Sequence, residues 1–148
     1  EAHQRIAIAA ASMWKKNLGV DAVLQNQEWK TMLDTMHQGT YEVVRYAWIG
    51  DYHEPSTFLK TLRTGNSENT PKFSNAAYDK ALDDALKATD KADVGKAYQQ
   101  AEQVLTEQSP VIPLYHYVSA RLVKPYVGGF NDSLLNYIYT KDLYVIKH

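Results

Sequence analysis

Helix-like and strand-like patterns alternate along this chain of 148 residues, and no other feature constrains its fold as strongly. Apolar residues recur at helical spacing from Gln4 to Leu18, and Gly19 follows as a stop signal. The pattern continues with a predicted strand over 20–25, a helix over 29–36 closed by Gly39, a strand over 41–49 and a helix over 55–64. This order predicts an α/β protein with an open sheet flanked by helices.

The second half of the chain begins with a polar loop over 65–74. Two amphipathic segments follow and predict a helical hairpin, joined at 90–93 and ended by Pro110. Residues 111–123 return to a strand-like pattern, 125–129 break it, and an aromatic, β-prone tail runs to residue 148. The apolar positions predicted to face inward from these helices and from 55–64 are Phe58, Leu59, Leu62, Tyr78, Leu82, Leu86, Val94, Ala97, Tyr98, Ala101, Val104 and Leu105.

Composition narrows the possible function classes. A hydrophobic content of 45% and a charged content of 22% are typical of a globular chain with one sizeable core. The net charge of −1 argues against a nucleic-acid partner, which requires a concentrated basic surface. The absence of cysteine excludes disulfides and cysteine-based zinc sites. Because the chain opens Glu1-Ala2-His3 without an initiator Met, we expect a processed or truncated piece.

The segment Arg45–Pro55 carries the most specific chemistry. A β-like run ends in Trp48, Ile49, Gly50 and Asp51, just before a helix that starts at Pro55. A carboxylate beside a large ring at the carboxyl end of a strand suits a small cationic group. From residue type alone, an acid that stabilises the helix N-terminus is an equally good interpretation of Asp51. Arg45 is expected on the same strand face as Asp51, where a surface ion pair is the structural alternative.

Four segments together resemble the distal lobe of bacterial periplasmic oligopeptide-binding proteins. They are Arg45–Pro55, 26–31, Arg121–Pro125 and 144–148. Those proteins are the solute-capture subunits of ABC peptide importers, and the resemblance runs from about Gln4 to the last residue. It implies the distal-lobe portion of a periplasmic-binding-protein-like (type II) fold. Residues 1–125 would form a partial distal lobe, and residues 126–148 a tail that returns toward the proximal lobe.

The resemblance also implies roles for particular residues. In the family, the residue matching Asp51 pairs with the α-ammonium group of the peptide, and the tryptophans matching Trp48 and Trp29 line side-chain pockets. The backbone of Ala47 to Ile49 would lie along the peptide main chain, and Gly50 is a further expected ligand-binding position. The residue matching Arg45 helps to neutralise a peptide carboxylate. His37 and Tyr117 match further pocket positions. Packing or surface roles remain open for the tryptophans, Arg45, His37 and Tyr117.

The implied function is capture of short peptides in the periplasm of a Gram-negative bacterium, for delivery to a membrane ABC permease. A murein-tripeptide-binding protein is an alternative, although Met36 stands where family members commonly have Arg. A small peptide hydrolase is the alternative of another class. Because nucleophile and metal motifs are missing and the histidines are scattered, we expect no enzyme, catalytic residue, metal or cofactor. An isolated piece of this kind is expected to dimerise, since a missing strand would expose a sheet edge.

Overall fold

The structure, a computed structural model, describes residues 2–147. Glu1, at the predicted processed start, and His148, the last residue of the predicted tail, lie outside the described residues. The chain forms two compact units, one up to Val44 and the other from Arg45 onward. The predicted division after residue 125 concerns the lobes of a longer protein, and it stays a prediction.

The first unit contains two helices, α1 (Ala2–Leu18) and α2 (Trp29–Gln38). Gly19 follows α1 with a φ of 71° and donates its amide hydrogen to the carbonyl of Lys15. Glu28 begins α2, since its carboxylate accepts from the backbone amides of residues 30 and 31 at 2.9 and 3.2 Å. Gly39, with a φ of 70°, closes α2. Both helices therefore begin and end close to the positions that the sequence predicted.

The second unit is built around three helical segments. Helix α3 (Ser56–Leu59) continues as a 3-10 turn over Lys60–Leu62, and it is followed by α4 (Ala76–Lys87) and α5 (Lys91–Gln108). The side chain of Asn75 caps α4 through the amides of residues 77 and 78, and Asp90 caps α5 through the amide of residue 92. The hairpin connection is therefore shorter than the predicted 90–93, because α5 already begins at Lys91.

The core of the second unit lies where α3, α4 and α5 meet. Tyr78 is completely buried there, donates its hydroxyl to the carbonyl of Leu59 at 2.6 Å, and packs edge-on against Phe73 at 5.5 Å between ring centroids. Two inward predictions are wrong, since Phe58 and Leu86 are mostly exposed. Leu86 lies in the last turn of α4, where the buried residue is Ala85. The buried members of this core are Leu59, Leu62, Tyr78, Ala81, Leu82 and Ala101.

Within residues 2–147 the regular sheet is limited to two short antiparallel strands, β1 (Val127–Gly128) and β2 (Tyr144–Val145). The prediction of strands over 20–25, 41–49 and 111–123 is wrong, because no strand forms in those segments. An alternating sequence makes a chain able to pair, but a strand also requires a neighbour that supplies N–H and C=O groups. These three segments find no such neighbour in the described part of the chain.

None of the helices in residues 2–147 combines the length and the apolar character needed to cross a lipid bilayer.

Candidate ligand-binding site

The loop that carries Asp51 is fixed to the start of α3 by a buried threonine. The backbone amide of Asp51 donates to the hydroxyl of Thr57 at 2.8 Å, and Thr57 has no exposed surface. A Cβ atom at Gly50 would lie 3.0 Å from Thr57 Cγ2 and 3.2 Å from the ring of Phe58. The glycine therefore lets the loop approach α3 closely, and Thr57 sets the position of the Asp51 backbone.

A second set of contacts ties the same loop to α3 and α5 through Glu54. Its carboxylate accepts from the backbone amide of Ser56 at 3.0 Å and from the Ser56 hydroxyl, and Tyr98 of α5 donates to it as well. Partial burial raises the pKa of Glu54, whereas these hydrogen bonds to its carboxylate lower it. Together the hydrogen bonds outweigh the burial, so the pKa lies below its ordinary value of 4.5. The hydroxyls of Tyr52 and Ser56 are also hydrogen-bonded, at 2.8 Å.

Asp51 itself presents its carboxylate to solvent. The Asp51 Oδ2 atom lies 3.6 Å from the Nζ atom of Lys60, and both side chains are about half exposed. The same Nζ atom lies 4.7 Å from the ring centroid of Tyr52, within the range of a cation–π contact. The carboxylate is thus accessible and already has an ammonium group beside it.

Arg45 and Tyr117 were singled out separately from the sequence, and the structure brings them together across 72 residues of chain. The Arg45 guanidinium donates to the Tyr117 hydroxyl, and its Cζ atom lies 5.8 Å from the centroid of that ring. The ring of Tyr115 packs against Tyr117 at 5.2 Å and 64°. Arg45 does not share a strand face with Asp51 as predicted, because no strand forms over 41–49.

The residues between Arg45 and Asp51 differ in exposure. Ala47, Trp48 and Gly50 are half-buried, whereas Ile49 is 76% exposed. The indole nitrogen of Trp48 is buried and has no acceptor among the described residues. A buried donor without an acceptor costs about 1–3 kcal/mol, so packing within the described residues does not fully satisfy Trp48.

Trp29 and His37 belong to α2 in the first unit. Trp29 opens the helix and is 60% exposed. His37 lies exposed in the last turn, directly after the buried Met36. Both predicted residues therefore have accessible side chains on a helix that is well capped at each end.

Sequence reasoning missed the residues that hold the loop, namely Tyr52, Glu54, Thr57, Lys60 and Tyr98. One signal was available for Lys60, because it lies four residues after Ser56 and so on the same side of a helix that starts just after Asp51. The other contacts depend on how the loop folds back on α3, which periodicity does not reveal. Among residues 2–147, no group of three or more potential ligands is arranged to hold a metal ion.

Comparison with known proteins identifies relatives of this chain by sequence and by fold. Residues 1–70 match the family described as bacterial extracellular solute-binding proteins, family 5 Middle. The chain is 52% identical over 148 residues to the periplasmic oligopeptide-binding protein OppA of Salmonella typhimurium, and 47% identical over 149 residues to the periplasmic murein peptide-binding protein MppA of Escherichia coli. These alignments cover 99 and 100% of the chain and 27 and 28% of the relatives.

Solved structures agree with the sequence relatives. The murein tripeptide binding protein MppA of Escherichia coli is similar with a TM-score of 0.87 at 48% identity, over 100% of this chain and 29% of that protein. OppA of Haemophilus influenzae, solved as a complex with RPPGFSPFR, gives a TM-score of 0.87 at 43% identity, over 98% of this chain and 29% of that one.

The fold is therefore that of type II periplasmic binding proteins, and the predicted α/β class is confirmed. The chain belongs to the bacterial extracellular solute-binding proteins of family 5. It spans 27 to 28% of the length of the two relatives named above.

Proposed function

We propose that this chain is part of a longer protein that binds short peptides, mainly through their backbone and termini, and delivers them to an ABC permease. The observation that carries the proposal is the exposed carboxylate of Asp51. The backbone of this residue is fixed by the buried Thr57, and its carboxylate already forms an ion pair with the Lys60 ammonium group. A carboxylate held in this way is suited to charge-assisted hydrogen bonds from a peptide α-ammonium group. The names of the relatives, which are peptide-binding proteins, support the same ligand class.

The remaining candidate residues divide the recognition of the peptide among them. Trp48 and Trp29 would line pockets that accept variable side chains, because a large flat ring buries many shapes. The backbone of Ala47 to Ile49 would pair with the peptide main chain, with Gly50 as a further ligand-binding position.

Two further contacts with the ligand are expected. Arg45, paired with Tyr117, would meet a carboxylate of the ligand, and His37 would contribute to a pocket on α2. The indole N–H of Trp48, which lacks an acceptor in residues 2–147, supports a role for this ring beyond packing.

A murein tripeptide is the second candidate ligand, because the chain is 47% identical to a murein peptide-binding protein. Met36 argues against it. The resemblance associates a cation at that position with an additional ligand carboxylate, and Met36 is buried and uncharged. Competition between a murein tripeptide and an ordinary tripeptide would rank the two ligands.

The context of the protein follows from the same proposal. Residues 1–125 would form part of the distal lobe and residues 126–148 a tail toward the proximal lobe, in the periplasm of a Gram-negative bacterium. Ligand binding would favour closure of the two lobes through contacts made only in the closed state. Dimerisation of the isolated chain stays a prediction, which light scattering at several concentrations would test.

The family consists of solute-binding proteins and not of enzymes. We propose that this protein releases its peptide uncleaved and needs no metal or cofactor. Incubation with a tripeptide, followed by mass spectrometry, should return the intact peptide whether or not EDTA or a serine-directed reagent is added. Cleavage that either reagent abolishes would instead establish the hydrolase.

Calorimetry on the full-length protein tests the central residue. Asp51→Ala should weaken binding of a tripeptide with a free N-terminus by about 2–5 kcal/mol, as expected when one partner of a charge pair is removed. Binding of the N-acetylated tripeptide, which has no ammonium group, should change much less. Asp84→Ala is the matched control, because Asp84 also pairs with an exposed lysine, Lys80, but lies on α4. Equal losses for the two peptides would show that Asp51 has another role.

A further inference from the structure

The loop at Asp51 contains an ammonium group of its own. The Nζ atom of Lys60 lies 3.6 Å from Asp51 Oδ2, on the side chain of the residue that follows α3. This is the kind of group that the proposed ligand would present to the same carboxylate. Lys60 therefore occupies, within the chain, the position that a peptide N-terminus would take.

The placement of Lys60 is determined by the helix on which it stands. Lys60 lies one helical turn after Ser56, so both side chains project from the same face. The hydroxyl of Ser56 bonds the hydroxyl of Tyr52, which lays the Tyr52 ring along that face. The Lys60 ammonium group then lies 4.7 Å from the ring centroid. Tyr52 thus offers Lys60 a second favourable contact next to Asp51.

The energetics of this pair allow exchange. Both side chains are about half exposed, and pairs of this kind are weak because water screens the charges and the long lysine side chain loses freedom. A peptide ammonium group that is buried on binding would form a stronger contact with the same carboxylate. Displaced from Asp51, Lys60 still retains the Tyr52 ring as a partner.

Resting on the proposed function, we propose that Lys60 is a specificity-determining residue that competes with the ligand for Asp51. Its ammonium group neutralises Asp51 in the ligand-free protein and must be displaced by the α-ammonium group of a bound peptide. Lys60 therefore lowers the affinity for peptides with a free N-terminus. It also reduces the ratio by which the protein prefers such peptides over N-acetylated ones. Removing its charge raises both the affinity and the preference.

Titration calorimetry of the full-length protein with trialanine and N-acetyl-trialanine tests this proposal. Lys60→Gln should tighten trialanine binding about two- to fivefold, the range expected from losing a weak exposed pair, and leave N-acetyl-trialanine unchanged. Lys80→Gln is the control, since it removes the same charge from an exposed lysine–aspartate pair on α4. It should alter neither affinity.

Three results would overturn the proposal. If Lys60→Gln leaves trialanine binding unchanged, the lysine does not compete for Asp51, and if it weakens binding, the lysine supports the ligand. Equal tightening for both peptides would indicate a general charge effect. In each of these cases the unmodified protein still binds trialanine, so the proposed function stands. Binding of neither peptide by the unmodified protein would instead reject the proposed function, and this inference with it.

Discussion

The hairpin formed by α4 and α5 and the loop over 45–54 are stabilised in different ways. In the hairpin, apolar side chains recur at helical spacing and are buried together around Tyr78. In the loop, most side chains are exposed. The loop is held by individual hydrogen bonds, from the Asp51 amide to the Thr57 hydroxyl and from the Ser56 amide to the Glu54 carboxylate. The hairpin therefore derives its stability from burial, whereas the loop derives its shape from a few polar contacts and leaves the Asp51 carboxylate exposed beside Lys60.

This difference fits the proposed role of Asp51 as a ligand-binding residue. A binding group must be accessible and yet well positioned, and buried packing cannot provide both at the same residue. In this chain positioning and accessibility belong to different residues. Thr57 is completely buried and accepts a hydrogen bond from the Asp51 amide, whereas Asp51 itself is exposed. Substitutions in the two regions should therefore differ in size and in what they alter.

The largest effect on stability is expected in the hairpin. Leu82 is buried in the core, whereas Leu86, one turn later on α4, is 75% exposed. Leu82→Ala should lower the free energy of unfolding by about 2–5 kcal/mol, because it removes buried methyl groups and leaves a cavity. Leu86→Ala, the matched control, should change it by less than about 0.5 kcal/mol. Urea unfolding measures both, and similar losses for the two leucines would contradict the assigned core.

A smaller effect is expected where α3 holds the loop through Thr57. Thr57→Val keeps the shape of the side chain but removes the acceptor for the Asp51 amide. It should lower the free energy of unfolding by about 1–3 kcal/mol and speed hydrogen exchange at the Asp51 amide. Thr61→Val is the control, because the Thr61 hydroxyl bonds the Phe58 carbonyl at an exposed position. Unchanged exchange at Asp51 in Thr57→Val would show that the loop is held by other contacts.

The smallest effect is expected from the titration of Glu54. Its pKa is lowered in the folded state, so the unfolded chain takes up a proton first as the pH falls. The contribution of Glu54 to stability is therefore complete above its ordinary pKa of 4.5 and is lost as the pH falls through the lower folded value. After solvent screening we expect this contribution to be on the order of 1 kcal/mol or less.

Glu54→Gln checks the sign of this effect. Urea unfolding is measured at neutral pH and between about pH 5 and 3, the range over which carboxylates are protonated. The free energy of unfolding should fall less on acidification in the variant than in the unmodified protein. A loss of equal size in both proteins would mean that the hydrogen bonds from Ser56 and Tyr98 do not favour the charged form of Glu54.

The sequence allowed much of the helical part of the fold to be predicted. Helices α1, α2, α4 and α5 follow from apolar spacing and from local end signals such as Gly19, Gly39 and Pro110, all of which act over a few residues. The strand predictions over 20–25, 41–49 and 111–123 were wrong for this structure, because a strand depends on a partner that local sequence does not specify.

The site was predictable to a lesser extent. Arg45 and Tyr117 came from a family resemblance, and their contact across 72 residues was not predictable from spacing. Lys60 was missed because its role depends on three contacts at once, with Asp51, with the Tyr52 ring and with the helix face shared with Ser56. Such arrangements arise from the folded loop and leave little periodic signal in the sequence.

The most direct test of the central claim is a crystal structure of the full-length protein with a bound tripeptide that has a free N-terminus. We expect the peptide nitrogen to lie within hydrogen-bonding distance of the Asp51 carboxylate, at about 3.2 Å or less. The Lys60 Nζ atom should then lie farther from that carboxylate than the present 3.6 Å. A bound peptide whose ammonium group pairs with a different residue, while Asp51 and Lys60 stay together, would contradict it.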